Sequence, residues 1–237
     1  AMDTESTSDG LGDRRVRYAL SDQLGADHTA LVLVDVQNDF VHPEGWVARQ
    51  QMPGYLDSTT IPEAVDATAE LLAAAREANV LRIFVRMLGD LRYLSAAMLA
   101  QYRRLQGPGR PACTLEGTWG ADLHESVAPD GSEREFTVDK YRYSAFAGTR
   151  LDLLLRSHQI ETLVVCGVAT SGCVESTVRD ALFHDYYVVT AAECCADNEP
   201  ARHEASLRKL EISFGYVVAW EEIARCWRPV GRAVSIG

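Results

Sequence analysis

The chain has 237 residues, 47% hydrophobic and 24% charged, enough for one globular domain with a sizeable core. Its 23 Lys and Arg against 34 Asp and Glu leave a net charge of −11, which provides no basic stripe for a phosphate backbone and excludes nucleic acid as an expected partner. No apolar run reaches the roughly 18 residues that cross a bilayer, and the N-terminal AMDTESTSDG is polar and acidic where a signal peptide is basic and then apolar. No membrane partner is expected, and the protein reads as cytoplasmic.

A polar arm covers residues 1–28. Ala30 to Asp35 is then a short, β-branched apolar run ending in an acid, as a buried parallel strand does. Pro62 to Asn79 carries Val65, Leu71, Leu72 and Ala75 at helical spacing and leads into a second strand, Val80 to Val85. From Leu88 to Trp119 the polarity is mixed, with Gly-Pro-Gly at 107–109, which predicts a short helix and a long loop able to cover a site. Strand and helix then alternate: strand Phe136 to Asp139, helix Thr149 to Ser157, strand Thr162 to Cys166, helix Cys173 to His184. Strand Tyr186 to Thr190, helix Pro200 to Lys209 and strand Gly215 to Val218 follow. This predicts an open, mostly parallel six-stranded α/β sheet with helices on both faces, a three-layer Rossmann-like arrangement, as a single domain over 29–228 with a tail over 229–237. Ligands of such sheets bind beyond the carboxyl ends of the strands. The segments to interrogate are therefore 35–40, 86–90, 139–146, 167–173 and 193–197.

Six cysteines, at 113, 166, 173, 194, 195 and 226, show no disulfide spacing and no C-x-x-C pair. The six histidines are scattered without a paired spacing, so neither metal nor other cofactor is expected. Cys173 opens a helix after a glycine-containing turn, where the positive end of the helix dipole favours a thiolate. Two readings stand for it, a nucleophile or a small buried residue closing the helix onto the sheet. Asp35 and Lys140 end the first and third strands and so reach the same sheet edge. There the acid can take the thiol proton while the ammonium steadies both anions, or the two form a structural ion pair. Cys166, Cys194 and Cys195 read as packing residues.

Other residues also have two readings. Trp46, Trp119, Tyr141, Tyr143 and Phe146 wall a flat pocket or fill the core, with Phe146 favoured for the pocket because it follows Lys140 closely. Gln37 and Asn38 orient the lysine or substrate, or cap the turn. Arg86 and Arg142 hold a substrate carboxylate or lie solvated at the surface.

Four segments together resemble the isochorismatase-like cysteine hydrolases: Leu33-Val-Asp-Val-Gln-Asn-Asp-Phe40, Asp139-Lys-Tyr-Arg-Tyr-Ser-Ala-Phe146, Cys166-Gly-Val-Ala-Thr-Ser-Gly-Cys-Val174 and Ala192-Glu-Cys-Cys-Ala-Asp197. The resemblance spans Ala30 to Val218. It implies an Asp35–Lys140–Cys173 triad, a cis peptide before Ala169, and an oxyanion hole from the backbone N–H groups of Ala169 and Cys173. Gln37, Phe40, Trp46, Arg86, Trp119, Tyr141 and Phe146 are the expected substrate-binding residues. Isochorismatase-type members, which cleave a vinyl ether, can lack the cysteine, so Cys173 favours amide or ureide cleavage through a thioester. Nicotinamidases of the family hold a metal through Asp-x-His and a further His after the second strand; Arg86 to Tyr93 contains no histidine. Segments 142–146 and 173–180 look most like ureidoacrylate amidohydrolases, and Thr170-Ser-Gly-Cys173 also resembles N-carbamoylsarcosine amidase. The implied partner is a small amide or ureide, with self-association as a homodimer or homotetramer, for which the apolar residues of Leu91 to Leu105 offer a surface.

Three rivals are weighed. A haloacid-dehalogenase-type phosphatase wants a second acid two residues after Asp35, where Gln37 stands, and a dinucleotide-binding dehydrogenase wants a G-x-G-x-x-G after the first strand, which is missing. A non-catalytic member binding a small molecule would have no need of all three triad residues.

Overall fold

The computed structural model describes residues 16–50, 60–106 and 113–228. The first fifteen residues, the 229–237 tail and the Gly-Pro-Gly at 107–109 lie outside them.

Six parallel strands form one sheet in the order β3-β2-β1-β4-β5-β6. They are β1 (Thr29–Val34), β2 (Leu81–Met87), β3 (Glu135–Lys140), β4 (Thr162–Val168), β5 (Tyr187–Ala196) and β6 (Tyr216–Val218). Both central strands, β1 and β4, are buried at every residue, which is why they read as continuous apolar runs rather than alternating ones. The described helices are α1 (Leu20–Gln23), α2 (Asn38–Val41), α3 (Trp46–Arg49), α4 (Thr60–Glu77), α5 (Ala96–Gln106), α6 (Leu151–Ser157), α7 (Glu175–Phe183), α8 (Pro200–Ser213) and α9 (Trp220–Trp227). α4 packs on β5 and against α9, whereas α7 packs on β4 and β5, and α8 on β5 and β6. The chain leaves β1 toward β2 on one side, and later enters β4 on its other side. The ends of β1 and β4 therefore flank the point where the winding reverses, the usual place for a ligand in an open α/β sheet.

The alternation in the sequence matches six of six strands, and the departures have local causes. β5 continues to Ala196, beyond the expected end at Thr190. Its pairing with β4 jumps from Val165↔Thr190 to Gly167↔Cys195, so the extra residues are accommodated as a bulge while Cys194, Cys195 and Ala196 stay buried. α8 runs on to Ser213. α9, unassigned from sequence, is a short helix whose Ile223, Ala224 and Trp227 are buried. The segment after β2 contains a 3₁₀ turn at Leu91–Tyr93 and then α5.

Two backbone features set the strand ends. Asp35, just past β1, has a φ of 57°, a left-handed conformation that aspartate tolerates better than most residues and that turns the chain sharply off the sheet. Gly167 pairs with Val34 at a φ of 120°, and a Cβ there would lie 2.0 Å from the Val34 carbonyl oxygen. Only glycine allows β4 to approach β1 so closely. Gly167→Ala is expected to cost about 3 kcal/mol or more through overpacking and strain, measured by urea unfolding. A loss under about 1 kcal/mol would contradict the close approach.

Candidate active site

Asp35 follows β1, Lys140 ends β3, and Cys173 lies beyond β4, so three strand ends bring the three side chains together. Lys140 arrives from two strands away. With neighbouring strands about 4.8 Å apart, only a long side chain spans that gap. Its Nζ lies 2.7 Å from Asp35 Oδ2 and 3.2 Å from Cys173 Sγ, and it donates to the Arg142 carbonyl oxygen at 3.1 Å. The ammonium thus has two hydrogen bonds and one close ion pair. The Lys140 and Asp35 side chains are 0% and 1% exposed, and Cys173 is 8% exposed. An ion pair so deeply buried contributes little net stability, because desolvating both charges costs several kcal/mol each. Its presence in the core is better explained by chemistry than by folding.

Burial pushes the Cys173 thiol up to about 12; the Asp35 charge adds to this and the Lys140 charge opposes it. Burial also raises the Asp35 carboxyl above its usual range, against the pull of Lys140 and of the hydrogen bond from Cys173. Lys140 is raised: burial works against its charge, but Asp35 and Cys173 outweigh it. A carboxyl raised above its usual range and held beside a thiol and an ammonium has the poise a general base requires.

The thiol does not sit on the first turn of an α-helix. Thr170–Val174 forms a π-helical turn that runs into α7, and the preceding Val168–Ala169 peptide is cis. This turn is held from behind by residues whose role was not apparent in the sequence. The Ser171 N–H donates to Asp197 Oδ2 at 2.7 Å, Thr170 Oγ1 and His203 Nδ1 are 2.9 Å apart, and the Thr177 hydroxyl donates to the Cys173 carbonyl oxygen at 2.7 Å. Burial lowers His203, favouring a neutral ring. No sequence spacing links Asp197 or His203 to residues 170 and 171; β5 and α8 bring them there.

The expected substrate-binding residues divide. Gln37 is fully buried and serves as a staple: its amide donates to the carbonyls of Met87 at 3.0 Å and Ala121 at 2.8 Å, and its oxygen accepts from the Met87 N–H at 2.8 Å. Both of its amide protons are committed to the backbone. Arg86 pairs in register with Asp139 and closes a two-bond ion pair with it, at 2.8 and 3.1 Å. Side chains alternate across a strand, so this pair points to the sheet face opposite Met87 and Lys140. Phe146 stacks on His184, with centroids 4.7 Å apart, at the far end of α7. Phe146 is buried there among the core residues, and the neighbouring Ala145 N–H donates to the Thr177 hydroxyl at 3.0 Å.

Phe40 and Trp46 are half-buried against the core, and the Trp46 N–H donates to Asp39 Oδ1 at 3.0 Å. Buried Asp39 also accepts from the Thr114 N–H at 2.7 Å, tying α3 to the loop after α5. Trp119 is 47% exposed and meets His42 edge-on at 4.9 Å; Tyr141 stacks on Tyr93 at 4.1 Å. Two further tyrosines have Cys173 among the groups that shift them. Tyr102 of α5 is pushed up to about 12 by burial, with the nearby Tyr143 and Cys173 adding to it, and Tyr143 is raised by burial and by Cys173. The α5 segment, read from sequence as an association surface, thus carries a tyrosine that feels the charges of Cys173 and Lys140.

Among the described residues no cluster of three or more His, Cys, Asp or Glu could hold a metal ion, and all six cysteines are free. No helix of the described residues is long and apolar enough to cross a membrane.

The fold and this site define an α/β protein with an acid, an amine and a thiol at the sheet's switch point. The isochorismatase domain family model matches residues 29–222, and the chain belongs to that family. It is 31% identical to the ureidoacrylate amidohydrolase RutB of Methylorubrum extorquens, over 81% of this chain and 79% of that one. A cysteine hydrolase from Pseudomonas syringae superposes with a TM-score of 0.72 at 25% identity, covering 92% of this chain and 98% of that one. N-carbamoylsarcosine amidase from Thermoplasma acidophilum shares the fold, with a TM-score of 0.63 at 22% identity over 81% of this chain and 96% of that one.

Asp197→Ala is expected to destabilise the protein by about 2 kcal/mol, since it removes a charge-assisted bond to a buried turn. Chemical denaturation checks this. A change below about 0.5 kcal/mol would show that the turn stands without Asp197.

Proposed function

We propose that the protein is a cysteine-dependent amidohydrolase that cleaves a carbon–nitrogen bond of a small amide, carbamoyl or ureido compound through a thioester. The observation that carries this reading is the Lys140 ammonium lodged between Asp35 at 2.7 Å and Cys173 at 3.2 Å, in a chain 31% identical to a ureidoacrylate amidohydrolase.

In this mechanism Asp35 accepts the Cys173 proton as the sulfur attacks the carbonyl carbon. The thiol's high resting pKa makes the transfer concerted with attack, because a free thiolate at this buried position is disfavoured. The oxyanion is held by the N–H groups of Ala169 and Cys173, each such donor contributing on the order of 3 kcal/mol. Asp35 returns its proton to the departing nitrogen, ammonia or an amine leaves, and a thioester remains on Cys173. Water, giving its proton to Asp35, then cleaves the thioester and restores the thiol. Lys140 remains an ammonium throughout and balances the negative charge as it passes between carboxylate and sulfur.

The substrate class follows from the charges around the site. Arg86 is neutralised by Asp139, whereas Arg142 donates only to backbone oxygens, of Tyr93 at 3.0 Å and Tyr141 at 2.7 Å. Arg142 follows Lys140 by two residues and supplies it with a carbonyl, so it is the better of the two arginines for a substrate carboxylate. Tyr102 and Tyr143 are the aromatic walls this reading favours. We take the protein to be cytoplasmic, since six free cysteines, one of them the nucleophile, suit a reducing compartment. We also take it to self-associate, as a homodimer or homotetramer.

Ammonia release from ureidoacrylate, N-carbamoyl amino acids, biuret, maleamate and nicotinamide, with isochorismate as the non-amide control, tests the reaction class. Turnover of isochorismate alone would overturn it. Cys173→Ala should abolish hydrolysis with the fold intact by circular dichroism; more than about a tenth of the activity remaining would remove the thiol from the mechanism. The acid limb of the pH profile follows from Asp35. Below its pKa the carboxyl is neutral and cannot accept the thiol proton, so kcat/KM falls with falling pH, at a midpoint above the 3.8 of an ordinary aspartate. A limb at or below 3.8 would contradict Asp35 as the base.

A further inference from the structure

The turn that carries Cys173 is capped from the side rather than by its own first residue. Thr170–Val174 begins at Ala169, whose methyl group makes no capping hydrogen bond. A serine or aspartate at that position would place its own oxygen over the leading N–H groups of the turn, where the proposed oxyanion has to sit. Other elements supply the partners instead. The buried Asp197 carboxylate, one residue past β5, accepts the Ser171 N–H at 2.7 Å, and the fully buried Thr170 hydroxyl lies 2.9 Å from His203 Nδ1 on α8. The N–H groups of Gly172 and Val174 turn back onto the Ala169 carbonyl oxygen at 3.0 and 3.3 Å. The two residues pinned from outside, Thr170 and Ser171, lie between the proposed oxyanion donors Ala169 and Cys173.

We infer that His203 is a positioning residue for the oxyanion hole: through Thr170, and alongside the bond from Asp197, it sets how the Ala169 and Cys173 N–H groups converge, without touching substrate. The inference rests on the amidohydrolase reading and deepens it. An oxyanion donor works only within about 2.7–3.1 Å of the charge that develops, so a small rotation of the turn is costly in the transition state and nearly neutral in the ground state.

The proton arrangement at His203 follows from the same geometry. Among the described residues no other group bonds the Thr170 hydroxyl. A hydroxyl proton so deeply buried needs an acceptor, and a neutral ring with a bare Nδ1 provides one. The ring then carries its own proton on Nε2. Burial favours this neutral form, against the pull of Asp197 past β5 and of Glu204 on α8 itself. On α7, the Glu175 carboxylate is taken up by Arg179 and by the Ser206 hydroxyl of α8, a further bond between this helix and the one that Cys173 leads into.

The test measures kcat and KM for the amide of the above panel that is hydrolysed fastest, beside the rate at which iodoacetamide alkylates each cysteine, read by mass spectrometry. Alkylation displaces iodide and develops no oxyanion, so it reports on the thiol and the fold alone. His203→Ala is expected to lower kcat at least about tenfold with KM within about threefold. Cys173 should alkylate within about twofold of its normal rate, while the buried Cys113, Cys166, Cys194 and Cys195 stay unmodified. His203→Asn, which keeps an acceptor near the Nδ1 position, should return kcat to within about threefold of normal. Thr170→Val removes the same bond from its other end with little change of shape, and serves where His203→Ala does not fold. It should match His203→Ala, and the two together should cost no more than either alone. A kcat within about twofold of normal in the single variants, a loss that asparagine does not relieve, or losses that multiply in the double variant overturns the positioning role. Faster alkylation of the four buried cysteines in the variants makes the loss one of folding and overturns it as well. No turnover of any amide by the unaltered protein overturns the amidohydrolase reading and this inference together.

Discussion

Lys140 is an ammonium shut off from water between a carboxylate and a thiol, and most of the architecture can be understood as the means of keeping it there. A buried cation held by two hydrogen bonds and a close ion pair requires acceptors arriving from separate directions. The acceptors come from the end of β1, from the backbone just past β3, and from the turn beyond β4. Only a parallel sheet whose winding reverses between β1 and β4 brings those ends to one edge. The left-handed Asp35 and the closely approaching Gly167 are the local backbone solutions to that convergence.

The surrounding polar residues extend the same logic outward. Gln37 fastens the chain just past Asp35 to Met87 and Ala121, Asp39 fastens α3 to the loop after α5, and Asp197 with His203 braces the π-helical turn from the side of α8. Each is a buried or half-buried polar group whose partners are mostly backbone atoms. Such bonds immobilise loops that would otherwise be the least ordered parts of an α/β fold, and the turn that carries Cys173 is one of them.

The charge balance of the whole chain and that of the site oppose one another. A net charge of −11 repels anions at long range, while Lys140 and Arg142 carry positive charge at the switch point. Lys140 is committed to the triad. Arg142, without a carboxylate partner among the described residues, is what distinguishes this edge of the sheet from the acidic surface around it.

The strand–helix alternation and the mostly parallel sheet were legible in the sequence because they rest on local signals, the continuous β-branched runs bounded by turn residues, and the same signals placed Asp35, Lys140 and Cys173 at strand ends. Matching four ordered segments to a known family added the pairing of residues that spacing alone leaves unconnected. What the sequence did not contain was direction. Phe146 is six residues from Lys140 and stacks on His184, and Arg86, one residue before the end of its strand, pairs with Asp139 on the other side of the sheet. Gln37, read as orienting the site or capping a turn, is tied to backbone partners, while Asp197 and His203 reach the Cys173 turn through packing of β5 and α8. Local residue order determines which elements form and which chemistry the strand ends can carry. Which way each side chain points, and which distant groups brace it, depends on long-range packing, because a one-residue step along a strand or a three-residue step along a helix reverses the face presented.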